Sequence, residues 1–195
     1  MIKLNALHPS MLVLSLLACL LIRSLASAAP PTAQTSQLTL HEAAAQCQTA
    51  LTNQECPTEV LPICQKAADL AEATLGKMNE KTAEILLSLG ECYYSKGKYA
   101  NAELATRESL TIRQNLFGKT HVAVGESLNN LALFLLTQGK HNDAETVFRQ
   151  ALDVFSSLFG TEHPFVGGAL NGLALALDRQ GKYGLAENME RQALS

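Results

Sequence analysis

Residues 128–160, LNNLALFLLTQGKHNDAETVFRQALDVFSSLFG, read as two helices hinged at a glycine. In the second half, Ala144, Val147, Phe148, Ala151, Leu152, Phe155 and Leu158 follow a helical spacing that gathers them into one apolar stripe. Glu145, Arg149, Gln150, Asp153 and Ser156 take the opposite face. The first half repeats the device with Val124, Leu128, Leu131, Ala132 and Leu135. Between the halves, TQGKHN centres on Gly139, which can adopt the left-handed backbone that ends a helix.

The unit recurs along the chain. Gly97, Gly139 and Gly181 are hinge glycines 42 residues apart, and Gly76, Gly118 and Gly160 end the second helices at the same period. Leu89, Leu131 and Leu173 register with one another, as do Leu86, Leu128 and Leu170. So do Ala102-Glu103, Ala144-Glu145 and Ala186-Glu187, and Leu110, Leu152 and Leu194. Self-similarity of this kind marks an all-α solenoid of stacked helix hairpins.

The motifs are LNNLA (residues 128–132), QGKH (138–141), the Ala144-Glu145 pair, RQAL (149–152) and FGTEHP (159–164). Together they resemble the tetratricopeptide repeat family in its 42-residue kinesin-light-chain-like form. The resemblance implies a right-handed α-solenoid of helix-turn-helix repeats, with three clear repeats at about 79–118, 121–160 and 163–195. A degenerate first repeat at about 38–76 makes the repeat domain 38–195. In the first repeat the hinge glycine is replaced by Glu55-Cys56-Pro57, and a terminal repeat is expected to be atypical because its outer face meets water.

Residues 1–28 read as a secretory signal peptide. Lys3 supplies the positive start, Met11 to Ile22 the apolar core, and Ala26-Ser27-Ala28 the cleavage site. Arg23 stops the apolar run short of the about 20 residues a spanning helix needs. The alternatives are an uncleaved anchor or a lipoprotein signal at Cys19. Export, to the periplasm or beyond, is therefore the expected localisation, with no membrane attachment after cleavage. Residues 29–37, polar with Pro30 and Pro31, read as a disordered leader. The chain carries a net charge of −3, which becomes −5 once Lys3 and Arg23 leave with the signal segment. Neither value, nor any basic run, suggests nucleic acid.

Four cysteines remain after cleavage: Cys47, Cys56, Cys64 and Cys92. Stepping back one period places Cys47 at the position of Leu89 and Cys64 at that of Thr106, on facing helices, so a 47–64 bridge is the first choice. The alternative buries all four as small apolar side chains. No metal site is expected, because C-x8-C-x7-C lacks the close cysteine pair of a zinc knuckle and has no histidine nearby. No cofactor is expected either.

One helix of each hairpin lines the concave wall of such a solenoid. By subtraction of the buried stripe, its positions are Glu84, Leu87, Ser88, Glu91, Tyr94 and Ser95 in the second repeat. In the third they are Glu126, Asn129, Asn130, Leu133, Leu136 and Thr137, and in the fourth Gly168, Asn171, Gly172, Leu175, Asp178 and Arg179. The binding candidates are Glu91, Tyr94, Glu126, Asn129, Asn130, Leu133, Asn171 and Arg179. Asparagine offers donors and an acceptor from one short side chain, which suits gripping the main chain of an extended peptide. The family resemblance implies a cargo-peptide role for Asn129, Asn130 and Asn171.

Nothing in the sequence supports catalysis. It holds no ordered Ser/His/Asp set, glycine-rich phosphate loop or H-E-x-x-H, and His121 and His163 recur at the repeat period, as structural residues do. Two functional classes follow. One is a non-enzymatic scaffold that holds a protein or peptide in its groove. The other is an assembly protein that self-associates through a last hairpin whose Leu175, Leu185, Met189 and Ala193 have no polar helix to cover them.

Overall fold

Glycines and short polar caps set where the helices begin and stop. The computed structural model describes residues 33–52 and 60–194, and among these it contains eight α-helices and no strand. They are α1 (Ala33–Thr52), α2 (Val60–Leu75), α3 (Glu80–Ser95), α4 (Tyr99–Phe117), α5 (Val122–Thr137), α6 (His141–Phe159), α7 (Pro164–Arg179) and α8 (Tyr183–Ala193). The signal segment 1–28 and the Glu55-Cys56-Pro57 substitute hinge lie outside the described residues. None of the described helices is long and apolar enough to cross a membrane.

The leader reading needs correction. Residues 33–37 of that stretch are helical, because α1 begins at Ala33. Both prolines lie upstream of it, and nothing from Ala33 onward forbids helix, so the packed part of α1 propagates backward.

The three hairpins from α3 to α8 turn the same way. Gly97, Gly139 and Gly181 sit at φ 69°, 78° and 77°. The amide after each glycine bonds back into the helix: Lys98 N to Tyr93 O at 2.9 Å, Lys140 N to Leu135 O at 3.0 Å, and Lys182 N to Leu177 O at 2.9 Å. This is the Schellman closure, and it needs a residue that tolerates positive φ. Three residues after each inter-repeat glycine comes an N-cap. Asn79 Oδ1 accepts from Lys81 N (2.8 Å), His121 Nδ1 from Ala123 N (3.3 Å) and His163 Nδ1 from Phe165 N (3.2 Å). The two imidazoles also stack on Phe117 and Phe159, with ring centroids 4.4 and 4.3 Å apart. The recurring histidines are helix caps.

The core follows the stripe. Ala102, Ala144 and Ala186 are buried at the hairpin contacts, and Leu89, Leu131 and Leu173 are buried one per repeat. Phe148 packs with Leu131, Leu135, Leu173 and Leu177, and Phe155 packs with Val124, Leu128, Val166 and Leu170. Leu158, assigned to the stripe, is instead 40 % exposed on the last turn of α6, as its counterpart Leu116 is on the last turn of α4.

Repeat-to-repeat register is pinned by polar residues at the same period. Glu103 accepts from Gln138 Nε2 (2.9 Å) and Lys140 Nζ (2.7 Å) of the next repeat, and Glu145 accepts likewise from Gln180 (3.0 Å) and Lys182 (2.9 Å). Lys182, with help from Arg149 and Gln180 and against partial burial, holds the Glu145 carboxyl down at about 2. A carboxyl depressed in the fold stabilises it above its ordinary value of 4.5, and that contribution is lost as the pH falls from there towards about 2. Glu145→Gln is therefore expected to cost roughly 1–2 kcal/mol at neutral pH. The gap in thermal midpoint from the parent should close as the pH is lowered through this window. A gap that is constant from pH 7 to pH 2 would contradict this account.

Candidate functional site

The wall formed by α3, α5 and α7 carries two neighbouring cavities. The first, about 420 Å³, is lined by Leu87 and Glu91 of α3 and Glu126, Asn129 and Asn130 of α5, with Phe155, Pro164, Phe165 and Gly168. The second, about 450 Å³, is lined by Tyr94, Leu133, Leu136, Thr137, Gly139, His141, Leu175 and Arg179. Seven of the eight residues expected to bind thus fall into two pockets, four in one and three in the other. Asn171 is the exception: it is solvent-exposed on α7 and lines neither cavity.

The subtraction also placed Gly172 on the wall, and this is corrected. A Cβ at Gly172 would collide with ring atoms of Phe148, so the position faces α6 and makes room for that ring. Leu87, Ser88 and Leu136 are mostly buried as well, although Leu87 and Leu136 still contribute surface to the cavities.

In the first cavity, Asn130 Nδ2 donates to Glu91 Oε1 at 2.7 Å. Burial raises the Glu91 carboxyl above its ordinary range; the Asn130 bond opposes this, and the nearby Glu126 charge adds to it. The Asn129 Oδ1 is buried and lacks a hydrogen-bond partner. An unpaired buried acceptor is costly unless something fills it. In the second cavity, Tyr94 stacks on Phe134 (4.7 Å between centroids), and its hydroxyl lies 3.2 Å from Thr137 Oγ1.

Behind the first cavity lies Arg113, which the sequence reading passed over. It is 6 % exposed and donates to Ala123 O (2.7 Å) and Ser127 Oγ (3.0 Å), with Glu126 at 3.5 Å. Burial pulls its guanidinium below the ordinary value, opposed by Glu126, Glu84, Glu80 and Glu91. The clue was in the repeat register, since Arg113 stands one period before the buried Phe155.

Away from the wall, Cys47 and Cys64 are joined by a disulfide across 17 residues of sequence. Cys92 on α3, which the sequence reading did not connect to this pair, brings its Sγ to 3.4 Å from that of Cys64. All three are buried in the core shared by α1, α2 and α3.

Residues 49–115, 107–153 and 123–195 match the tetratricopeptide repeat family. Among curated proteins the sequence has no significant match. Among solved structures, the fold resembles BtubC (BKLC) from P. vanneervenii, with a TM-score of 0.65 at 20 % identity over 69 % of this chain. That alignment spans 54 % of BtubC, about half its length. The fold also resembles the "Podosopora anserina putative kinesin light chain nearly identical TPR-like repeats", with a TM-score of 0.67 at 16 % identity. Here the alignment covers 92 % of this chain and 82 % of the other. At such identities the likeness is one of fold, and the fold is the kinesin-light-chain-like helical solenoid. With family matches running from residue 49 to residue 195, this chain belongs to the tetratricopeptide repeat family.

Proposed function

We propose that the chain is an exported, non-enzymatic scaffold that holds an extended segment of a partner protein along the wall of α3, α5 and α7. The observation that carries this reading is the buried, unpartnered Asn129 Oδ1 beside the Glu91–Asn130 pair in an open cavity. A peptide backbone N–H is the donor such an acceptor lacks. Proteins of this repeat family are typically non-catalytic scaffolds for protein partners. Export is supported by the sequence of residues 1–28 and by the Cys47–Cys64 disulfide, which suits an oxidising compartment.

The test is selection of random ten-residue peptides displayed on phage against the purified full chain, followed by binding of the selected peptides in solution. Changing Asn129 and Asn130 together to alanine should weaken binding about tenfold or more, from two lost hydrogen bonds at roughly 1 kcal/mol each. Asn171→Ala should matter less, and the double variant should stay folded, its melting midpoint lowered only by loss of the Asn130–Glu91 bond, about 1 kcal/mol. Undiminished binding by the double variant would count against the groove.

Self-association through the last hairpin remains a second reading, favoured by the exposure of Leu175, Leu185 and Leu194. Light scattering decides it: a strict monomer at high concentration would remove it.

A further inference from the structure

The first cavity is chemically one-sided. It presents the Glu91 and Glu126 carboxylates, both acceptors, with the unpartnered Asn129 Oδ1 buried beside them and the Asn129 amide as a neutral donor group of the lining. The Asn130 amide is already engaged with Glu91, and Arg113 lies behind the wall with its guanidinium turned to Ala123 O, Ser127 Oγ and Glu126. Arg113 offsets one of the two carboxylate charges and leaves the other uncompensated. Nor does the nearby start of α7 supply a site for anions. Phe165 N is taken by His163 Nδ1, and Val166 N and Gly167 N by His163 O. The remaining lining is apolar. Phe165, 40 % exposed, leads a ring cluster with Phe155 at 5.1 Å and Phe159 at 5.8 Å.

A surface with spare acceptors, a net negative charge and an exposed aromatic face fits one kind of side chain. Arginine and lysine carry donors only, a unit positive charge and an aliphatic stem that lies along apolar surface. Over a phenylalanine face, their cation gains a further attraction. We infer that this cavity takes a basic side chain of the bound peptide, its stem against Leu87 and Phe165 and its cationic head among Glu91, Glu126 and Asn129 Oδ1. The inference rests on the peptide-groove reading and adds the chemistry of the partner segment: an extended stretch with an arginine or lysine at a fixed register. An acidic residue at that register would meet like charge and be rejected.

The experiment uses the full chain and the same displayed random peptides. Selected sequences should be enriched in arginine or lysine at one position. A synthetic selected peptide carrying glutamine there should bind about tenfold more weakly in fluorescence anisotropy, with arginine and lysine versions ranking the two cations. Changing both Glu91 and Glu126 to glutamine should erase the preference and flatten the salt dependence, whereas Glu190→Gln on α8 should do neither. If the double variant fails to fold, the peptide substitution alone decides. Equal binding of the glutamine peptide, or enrichment in acidic residues, overturns the inference and leaves the groove standing. Selection of no peptide that competes for the groove overturns both.

Discussion

Phe148→Ala is expected to destabilise the chain by about 3–5 kcal/mol, the range for emptying a buried aromatic site. Phe148 is buried between two repeats, against Leu131 and Leu135 on one side and Leu173 and Leu177 on the other, so its loss loosens their stacking as well as its own hairpin. The sharper form of the prediction is a double-mutant cycle with Gly172. In the parent chain, Gly172→Ala drives a Cβ into the Phe148 ring and should cost roughly 1–3 kcal/mol. In the Phe148→Ala background the obstruction is gone, and alanine regains the helix propensity that glycine lacks, about 1 kcal/mol. The second substitution should then be neutral or stabilising. The chain already contains a version of this exchange: one period earlier the same two positions hold Asn130 and Thr106, a side chain in place of glycine and a small residue in place of phenylalanine. Urea unfolding of the four proteins measures the cycle, and simple additivity would show that the two residues do not share a site.

Removing the disulfide, as Cys47→Ala with Cys64→Ala, is expected to cost about 3 kcal/mol, the chain-entropy value for a loop of this size. The loss should be local. In a solenoid each repeat leans only on its neighbours, so the first repeat should open without the rest. Amide hydrogen exchange should accelerate in α1 and α2, while α5 to α8 keep their protection. Uniform acceleration along the whole chain would mean that the hairpins unfold as one cooperative body, and no change at all would mean that the bridge adds nothing.

The candidate site was legible where its determinants are local. Glu91, Glu126, Asn129 and Asn130 fell on the wall because helical periodicity alone assigns a face, and the structure brings all four to one cavity. Tyr94, Leu133 and Arg179 followed by the same logic. Periodicity misled at Gly172, since a glycine has no side chain to report which face it serves, and only the ring of Phe148 on another helix reveals it. Arg113 escaped notice as well. By itself a charged residue carries no sign of burial in the sequence, yet the Arg113 guanidinium finds a backbone carbonyl and a serine hydroxyl of the next repeat and is buried there.

By itself, the sequence determined the repeating hairpin, its length, its glycine turns and its periodic caps, because each depends on residues within a few positions of one another. Only the tertiary structure decided which acceptors are left unpaired at Asn129, where Cys92 meets the Cys47–Cys64 bridge, and how Arg113 comes to lie behind Glu126. These depend on distances between repeats, and such distances emerge only when neighbouring hairpins bury their apolar faces against one another.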